Sequence, residues 1–297
     1  MSQMPAPEVD LDEALVRRLL RGQHPDLAEL AVEPAGSGWD NVMFRLGDEL
    51  CVRLPRRALA APLIEFEQRW LPELARRLPI PVPAPLRVGV ATADFPWRWS
   101  VCPWLVGHRA AGAAMADPSH VASALGAFVA ALHTDAPADA PENPYRGVPL
   151  VERDEVTRER IEQLGALIDG PAVREQWAAA VAVPRWHGPP QWIHGDLHPG
   201  NILLEEGGRI LAGVIDFGDI TSGDPATDIA VAWMLFGPDD RVRFRESAGI
   251  DKVDDSAWAR GKGWAIALAL AYLAHAADNP VMADVGRRTL DRLCAAD

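Results

Sequence analysis

The chain has 297 residues, 48% of them hydrophobic and 24% charged, with a formal net charge of −13. That length supports one large domain or two lobes with a sizeable core, and the acidic balance excludes a general nucleic-acid binder, which needs a basic surface to displace counterions. Cys51, Cys102 and Cys294 stand far apart with no Cys-x-x-Cys pairing, which argues against a disulfide framework or structural zinc and for a reducing cytoplasm.

Met1 to Asp10 is proline-bearing and acidic, with neither the basic start nor the apolar centre of a secretory leader. Apolar residues at Leu11, Ala14, Leu15, Val16, Leu19 and Leu20 predict a helix over Asp10 to Leu20. Val42 to Leu46 and Leu50 to Leu54 read as strands joined by a hairpin turn at Gly47-Asp48-Glu49. An amphipathic, arginine-studded helix is expected from about Ala61 to Leu78. Proline at every second position from Pro79 to Pro85 predicts a stiff extended connector. Two more strands follow, Leu86 to Val90 and Arg98 to Cys102.

From about Pro103 the pattern turns mainly helical, with helices expected over Ser119 to His133, Asp154 to Ile168, Arg174 to Val181 and Ser256 to Ala277. The apolar run Ala265 to Ala277 is too short to span a bilayer and reads as a buried helix. No internal repeat is visible, so the chemistry must be sought in local motifs.

The densest motif is Trp192-Ile193-His194-Gly195-Asp196-Leu197-His198-Pro199-Gly200-Asn201, followed by Val214-Ile215-Asp216-Phe217-Gly218. Strand-like apolar runs flank a polar loop. Phosphoryl transfer needs a carboxylate at the incoming hydroxyl, a metal between phosphate oxygens and a cation on the phosphates. Asp196 can orient and deprotonate a hydroxyl, while Asn201 and Asp216 offer the oxygen ligands that suit magnesium. His194 and His198 are the competing candidates, as zinc or iron ligands of a metallohydrolase. They lie in a Gly/Pro-broken loop rather than on one helical face, and loop-stabilising hydrogen bonds are their more usual role.

The two motifs in this order resemble the catalytic and metal-binding pair of the aminoglycoside phosphotransferase family, small-molecule kinases with a protein-kinase-like fold. The resemblance extends to Gly38-Trp39-Asp40-Asn41, Val52-Arg53-Leu54-Pro55, the helix around Glu67, and Gly223-Asp224-Pro225 with Asp228. It implies an α+β, two-lobed protein. Residues 1–102 would form a small antiparallel-sheet lobe that binds ATP or GTP, and residues 103–297 a larger helical lobe with the catalytic loop, metal site and acceptor pocket.

By position, the resemblance makes Asp196 the catalytic carboxylate and Asn201 and Asp216 the magnesium ligands. The turn from Gly36 to Asn41, with Gly38 and Asn41, would cover the phosphates, although it lacks a full Gly-x-Gly-x-x-Gly pattern. Arg53 would hold the phosphates where many relatives use lysine, an exchange that keeps charge but alters geometry. Its partner would be Glu67, favoured over Glu65. Cys102 would line the rear of the nucleotide pocket as an inert thiol, and backbone near Pro103 to Leu105 would meet the adenine edge.

Asp224 and Asp228 are expected to be structural, Asp224 as a helix N-cap, and both as ties on the catalytic loop. Asp219 is expected either to stand near the metal or to be only a solvated turn residue. One of Trp233, Trp258 and Trp264 is a candidate for the acceptor pocket, with core packing as the default for all three. Asp251, Asp254 and Asp255 either attract amines or form a solvated face.

The expected activity is transfer of the γ-phosphoryl group to a hydroxyl of a small molecule, with an aminoglycoside-type antibiotic favoured; the net charge fits a cationic acceptor but is first explained by simple solubility. The alternatives are a macrolide or amino-alcohol kinase of the same fold, and a non-catalytic nucleotide-binding regulator. Neither nucleic acid nor membrane is an expected partner.

Overall fold

A computed structural model describes residues 5–250, 254, 256–275 and 279–294. The chain divides into two compact units. One runs to Arg77 and again from Pro81 to Leu105; the other takes in Leu78–Ile80 and everything from Val106 onward.

The first unit opens with α1 (Glu13–Gln23), capped by Asp12, whose carboxylate accepts from Leu15 N at 2.7 Å. Leu15, Val16, Leu19 and Leu20 form its buried stripe. The strands β1 (Val32–Ser37), β2 (Asn41–Leu46) and β3 (Leu50–Pro55) follow. Next come α2 (Ala61–Leu74), β4 (Arg87–Gly89) and β5 (Trp99–Pro103). The sheet is antiparallel throughout, in the order β1-β2-β3-β5-β4. Phe44, Leu46, Val52, Leu54 and Val101 bury one of its faces against the α1 stripe and Trp99.

β1 was not marked as a strand in the sequence, since Pro34 and Gly36 break its alternation; the structure accommodates them in a register shift between these two residues. α2 stops at Leu74 rather than Leu78 because Pro72 lies inside it and removes a helical N–H donor. Residues 79–85 carry neither helix nor strand.

The second unit begins with β6 (His108–Arg109), α3 (Pro118–Leu132), α4 (Asp154–Gln163) and α5 (Gly170–Ala182). Short strands then carry the motifs: β7 (Gln191–Ile193), β8 (Ile202–Leu204), β9 (Leu211–Val214) and β10 (Thr221–Gly223). β6, β8 and β9 form one antiparallel sheet, and β7 pairs with β10. The chain continues through α6 (Ala226–Ile229), α7 (Val231–Leu235), α8 (Pro238–Ser247), α9 (Ala257–Ala274) and α10 (Pro280–Cys294).

α9 is the central post of this unit, buried at almost every position from Gly261 to Leu270. α8 and α10 went unread in the sequence, and α5 begins four residues before its expected start. All three open on or beside proline, which reads as a break but is tolerated in a helix's first turn, where its missing N–H costs nothing. Among the described residues no helix is long and apolar enough to cross a membrane.

Candidate functional site

β7 delivers the chain to His194, and pairing with β10 fixes that strand's end. The loop beyond it is held from beneath by Asp228 of α6. Its Oδ2 accepts from His194 N at 2.7 Å and its Oδ1 from Gly195 N at 3.0 Å. His133 Nε2 lies 3.1 Å from Oδ2, and the Asp228 side chain is fully buried. Gly195 has φ +83°, and a Cβ there would sit 2.3 Å from Asp219 O, so only glycine passes this point without strain.

Both loop histidines spend their ring nitrogens on this structure. His194 Nδ1 accepts from Asp196 N at 3.2 Å and its Nε2 meets Ile215 O at 3.0 Å. His198 Nδ1 accepts from Gly200 N at 3.0 Å, leaving Nε2 3.2 Å from Asp196 Oδ2. No group of three or more His, Cys, Asp or Glu side chains suited to a metal occurs among the described residues.

Asp196 is therefore the focus of the loop. Arg146 Nη2 lies 3.3 Å from its Oδ1, and Asn201 Nδ2 donates to its carbonyl at 3.0 Å and approaches its Oδ2 at 3.5 Å. Burial works to raise the carboxyl pKa, but His198, Arg146 and His194 together outweigh it and hold the group well below the usual carboxylate range. A carboxylate held ionised in this way orients a hydroxyl by accepting its hydrogen bond, and takes the proton as the new O–P bond forms.

Asn201 and Asp216 are brought together by the β8–β9 hairpin. Ile202 pairs with Val214, and Ile215 N donates to Asn201 O at 2.9 Å. Since Asn201 directs its amide nitrogen at Asp196, its Oδ1 is left for another partner. Asp216 is exposed and takes φ +64°, the only positive φ of a non-glycine among the described residues. Such left-handed backbone costs on the order of 1–3 kcal/mol and clusters at functional sites. An amide oxygen beside a carboxylate is the hard donor set that a magnesium ion takes.

In the first unit Arg53 of β3 is buried, with its Nη1 2.8 Å from Glu67 Oε2 of α2. Glu65 is exposed. Cys51 and Cys102 face each other in the β3–β5 register, and burial raises both thiol pKa values, Cys102 the more strongly. Gly38 lies in the β1–β2 turn, where its N donates to Asn41 O at 2.8 Å and Arg56 Nη1 donates to its carbonyl at 2.9 Å. Asn41 is buried, and its Oδ1 has no hydrogen-bond partner. Pro103 ends β5, and the unit closes at Leu105.

Asp224 is not the N-cap of α6, a position Pro225 takes; it lies one residue earlier. Its Oδ1 accepts from Ala226 N at 3.0 Å, and both oxygens grip the buried Arg260, at 2.7 and 3.1 Å. Asp254 completes that cluster, 2.5 Å from Arg260 Nη2, and so is neither a free amine trap nor a purely solvated charge. Asp251 and Asp255 lie outside the described residues. Trp233 and Trp264 are buried, and Trp233 packs on Trp258 at 4.2 Å between ring centroids.

Four residues around the Asp196 loop are not predicted from the sequence. Asn143 Nδ2 donates to Asp219 Oδ1 at 2.7 Å, and Asp219 is half-buried. Burial, and then the charge of Asp196, raise its carboxyl pKa above the ordinary value. Arg146 and Tyr272 flank Asp196, the tyrosine ring meeting His198 edge-on at 5.5 Å. His133 is the fourth, at Asp228. Asn143 and Arg146 share one signal, Asn143-Pro144-Tyr145-Arg146-Gly147, a polar cluster inside a turn-forming stretch; His133 and Tyr272 have none.

Residues 31–264 match the model of the phosphotransferase enzyme family. Aminoglycoside 3′-phosphotransferase of Streptomyces fradiae is 32% identical over 215 residues, 61% of this chain and 71% of that protein. The uncharacterized protein YcbJ of Bacillus subtilis (strain 168) is 35% identical over 75 residues, 25% of this chain and 24% of that protein. Among solved structures, the GDP complex of wild-type aminoglycoside 2′-phosphotransferase-IIIa has a TM-score of 0.71 at 20% identity, covering 96% of this chain and 99% of that one. Macrolide 2′-phosphotransferase MphH from Brachybacterium faecium, as apoenzyme, has a TM-score of 0.60 at 21% identity, covering 94% and 97%. At such identities the two structures share the fold, a protein with an antiparallel-sheet part and a helical part.

Proposed function

The chain belongs to the phosphotransferase enzyme family and is a small-molecule kinase, and from that premise we propose that it moves the γ-phosphoryl group of ATP or GTP to a hydroxyl of an antibiotic-like acceptor, an aminoglycoside first among them. The carrying observation is Asp196, an ionised carboxylate fixed from both sides by Arg146 and His198, one hydrogen bond from Asn201.

In this reading Asp196 accepts the acceptor's hydroxyl proton while the hydroxyl oxygen bonds to phosphorus and the nucleoside diphosphate departs. Asn201 and Asp216 would hold magnesium, which when bound neutralises charge on the phosphate oxygens. Arg53, kept in place by Glu67, would grip the phosphates. Gly38 and Asn41 would meet them from the β1–β2 turn, and Cys102 and the backbone from Pro103 to Leu105 would receive the base. Three free cysteines support a cytoplasmic setting.

A macrolide or amino-alcohol acceptor would use the same donor residues, and the likeness to a macrolide phosphotransferase keeps that class in view. A non-catalytic regulator is disfavoured, since it has no need of Asp196, Asn201 and Asp216 together.

The test is a coupled assay of nucleoside diphosphate release, with ATP and GTP against aminoglycosides, macrolides and small amino alcohols. Asp196→Ala is expected to lower acceptor-dependent release by about 10²–10⁴-fold while retaining nucleotide binding. Unchanged turnover in that variant, or no acceptor-dependent release from any class, would overturn the proposal.

A further inference from the structure

Arg146 is a poorly satisfied cation in a crowded place. Its side chain is 21% exposed, and of its five N–H donors one reaches Asp196 Oδ1 at 3.3 Å and one its neighbour Tyr145 O at 3.4 Å, both long. Nε is buried with no partner. Tyr272 repeats the pattern from α9: its hydroxyl is buried and unpartnered, and its ring meets edge-on, at 5.5 Å between centroids, the His198 whose Nε2 lies 3.2 Å from Asp196 Oδ2. Buried donors left without acceptors are uncommon because each forfeits its hydration. Here two of them border one carboxylate, the group that receives the acceptor hydroxyl.

Resting on the phosphotransferase reading above, we propose that Arg146 and Tyr272 determine acceptor specificity by hydrogen-bonding an oxygen next to the reacting hydroxyl. That oxygen belongs to a hydroxyl, ether, carbonyl or carboxylate. An ammonium at the same position cannot accept from either donor and meets the guanidinium charge head-on. Amino groups farther along the acceptor are unaffected. The enzyme thus chooses among hydroxyls of a polyol by their neighbours, and the negative charge of the whole chain acts only at longer range.

The experiment measures kcat and KM for acceptor pairs matched at the carbon beside a hydroxyl. Kanamycin A and kanamycin B differ there by hydroxyl against amino; glucose and glucosamine, which differ only at C2, form a second pair. Each product is located by NMR. Wild type is expected to favour the oxygen-flanked member by about tenfold or more in kcat/KM, as sites built around a substrate hydrogen bond do. Arg146→Met is expected to erase or invert that preference. Arg146→Lys keeps the charge without the fork and is expected to retain part of it, and Tyr272→Phe to raise acceptor KM more than it lowers kcat.

A loss of activity equal for both members of each pair would assign Arg146 a structural role and overturn the proposal. So would a wild-type enzyme that prefers the ammonium-flanked hydroxyl; in both cases the phosphotransferase reading stands. No phosphorylation of any acceptor by wild type, in these pairs or in the wider panel, would overturn both.

Discussion

The sharpest perturbation of the Asp196 loop lies outside it, at Asp228. Its buried carboxylate takes hydrogen bonds from His194 N and Gly195 N, and His133 Nε2 lies 3.1 Å from it. Asp228→Ala leaves these buried groups without their acceptor, and breaking a buried charged network in this way costs about 3–5 kcal/mol. Set against a total stability of about 5–15 kcal/mol, that is a large fraction. At about 2–4 °C per kcal/mol for a domain of this size, the midpoint falls by roughly 10 °C.

Asp228→Asn is the subtler probe. It has nearly the same shape but one acceptor oxygen instead of two, so one backbone N–H faces an NH2 group, at a cost of about 1–3 kcal/mol. Because the lost contact is one of the two that set the direction of the chain into Asp196, kcat is expected to drop more than nucleotide affinity. A displacement of about 1 Å at a reacting group costs on the order of 10²-fold. Urea denaturation and the coupled release assay at saturating nucleotide measure the two effects. An Asn variant with wild-type midpoint and wild-type kcat would refute the idea that Asp228 sets the loop.

In the first unit, Arg53→Ala is expected to lose about 3–5 kcal/mol by stranding buried Glu67. The double change Arg53→Met with Glu67→Leu should recover most of that stability in urea titrations and none of the nucleotide affinity. Asp219 offers a pH signature. Its folded pKa is raised, so the stabilisation it gives is present below the unfolded value of about 3.9 and lost as pH rises through the folded value. Asp219→Asn, which can keep the Asn143 contact through its oxygen, should therefore gain on wild type as pH rises from about 4 and hold that gain at neutrality; a variant weaker than wild type at neutral pH would contradict this. For the cysteines, alkylation of the native protein followed by mass spectrometry should find half-buried Cys294 modified first, with Cys51 and Cys102 reacting on unfolding; rapid native labelling of Cys102 would refute its burial.

The legible parts of this protein are those written in short stretches of chain. The α1 stripe, the β2–β3 hairpin and α3 follow from local periodicity, and Asp196, Asn201 and Asp216 lie in two nearby segments whose residue types already specify oxygen chemistry. Helices that open on proline were missed because the same residue ends a helix in one context and begins one in another, and only packing of the following turns decides which.

What surrounds the carboxylate was a matter for the tertiary structure. Arg146 lies fifty residues from Asp196 in sequence, and Tyr272 sits in an alanine-rich helix that reads as plain core. Asp228 reads from the sequence as a tie on the loop, and folding decides which groups it holds, His194 N and Gly195 N. Sequence alone picks out Asp196, Asn201 and Asp216, because the oxygen ligands proposed for a metal and a hydroxyl are polar residues at close spacing on one loop and hairpin. Which groups stand beside Asp196 is settled by folding, because burial and charge at a point in space are sums over residues that the chain keeps far apart.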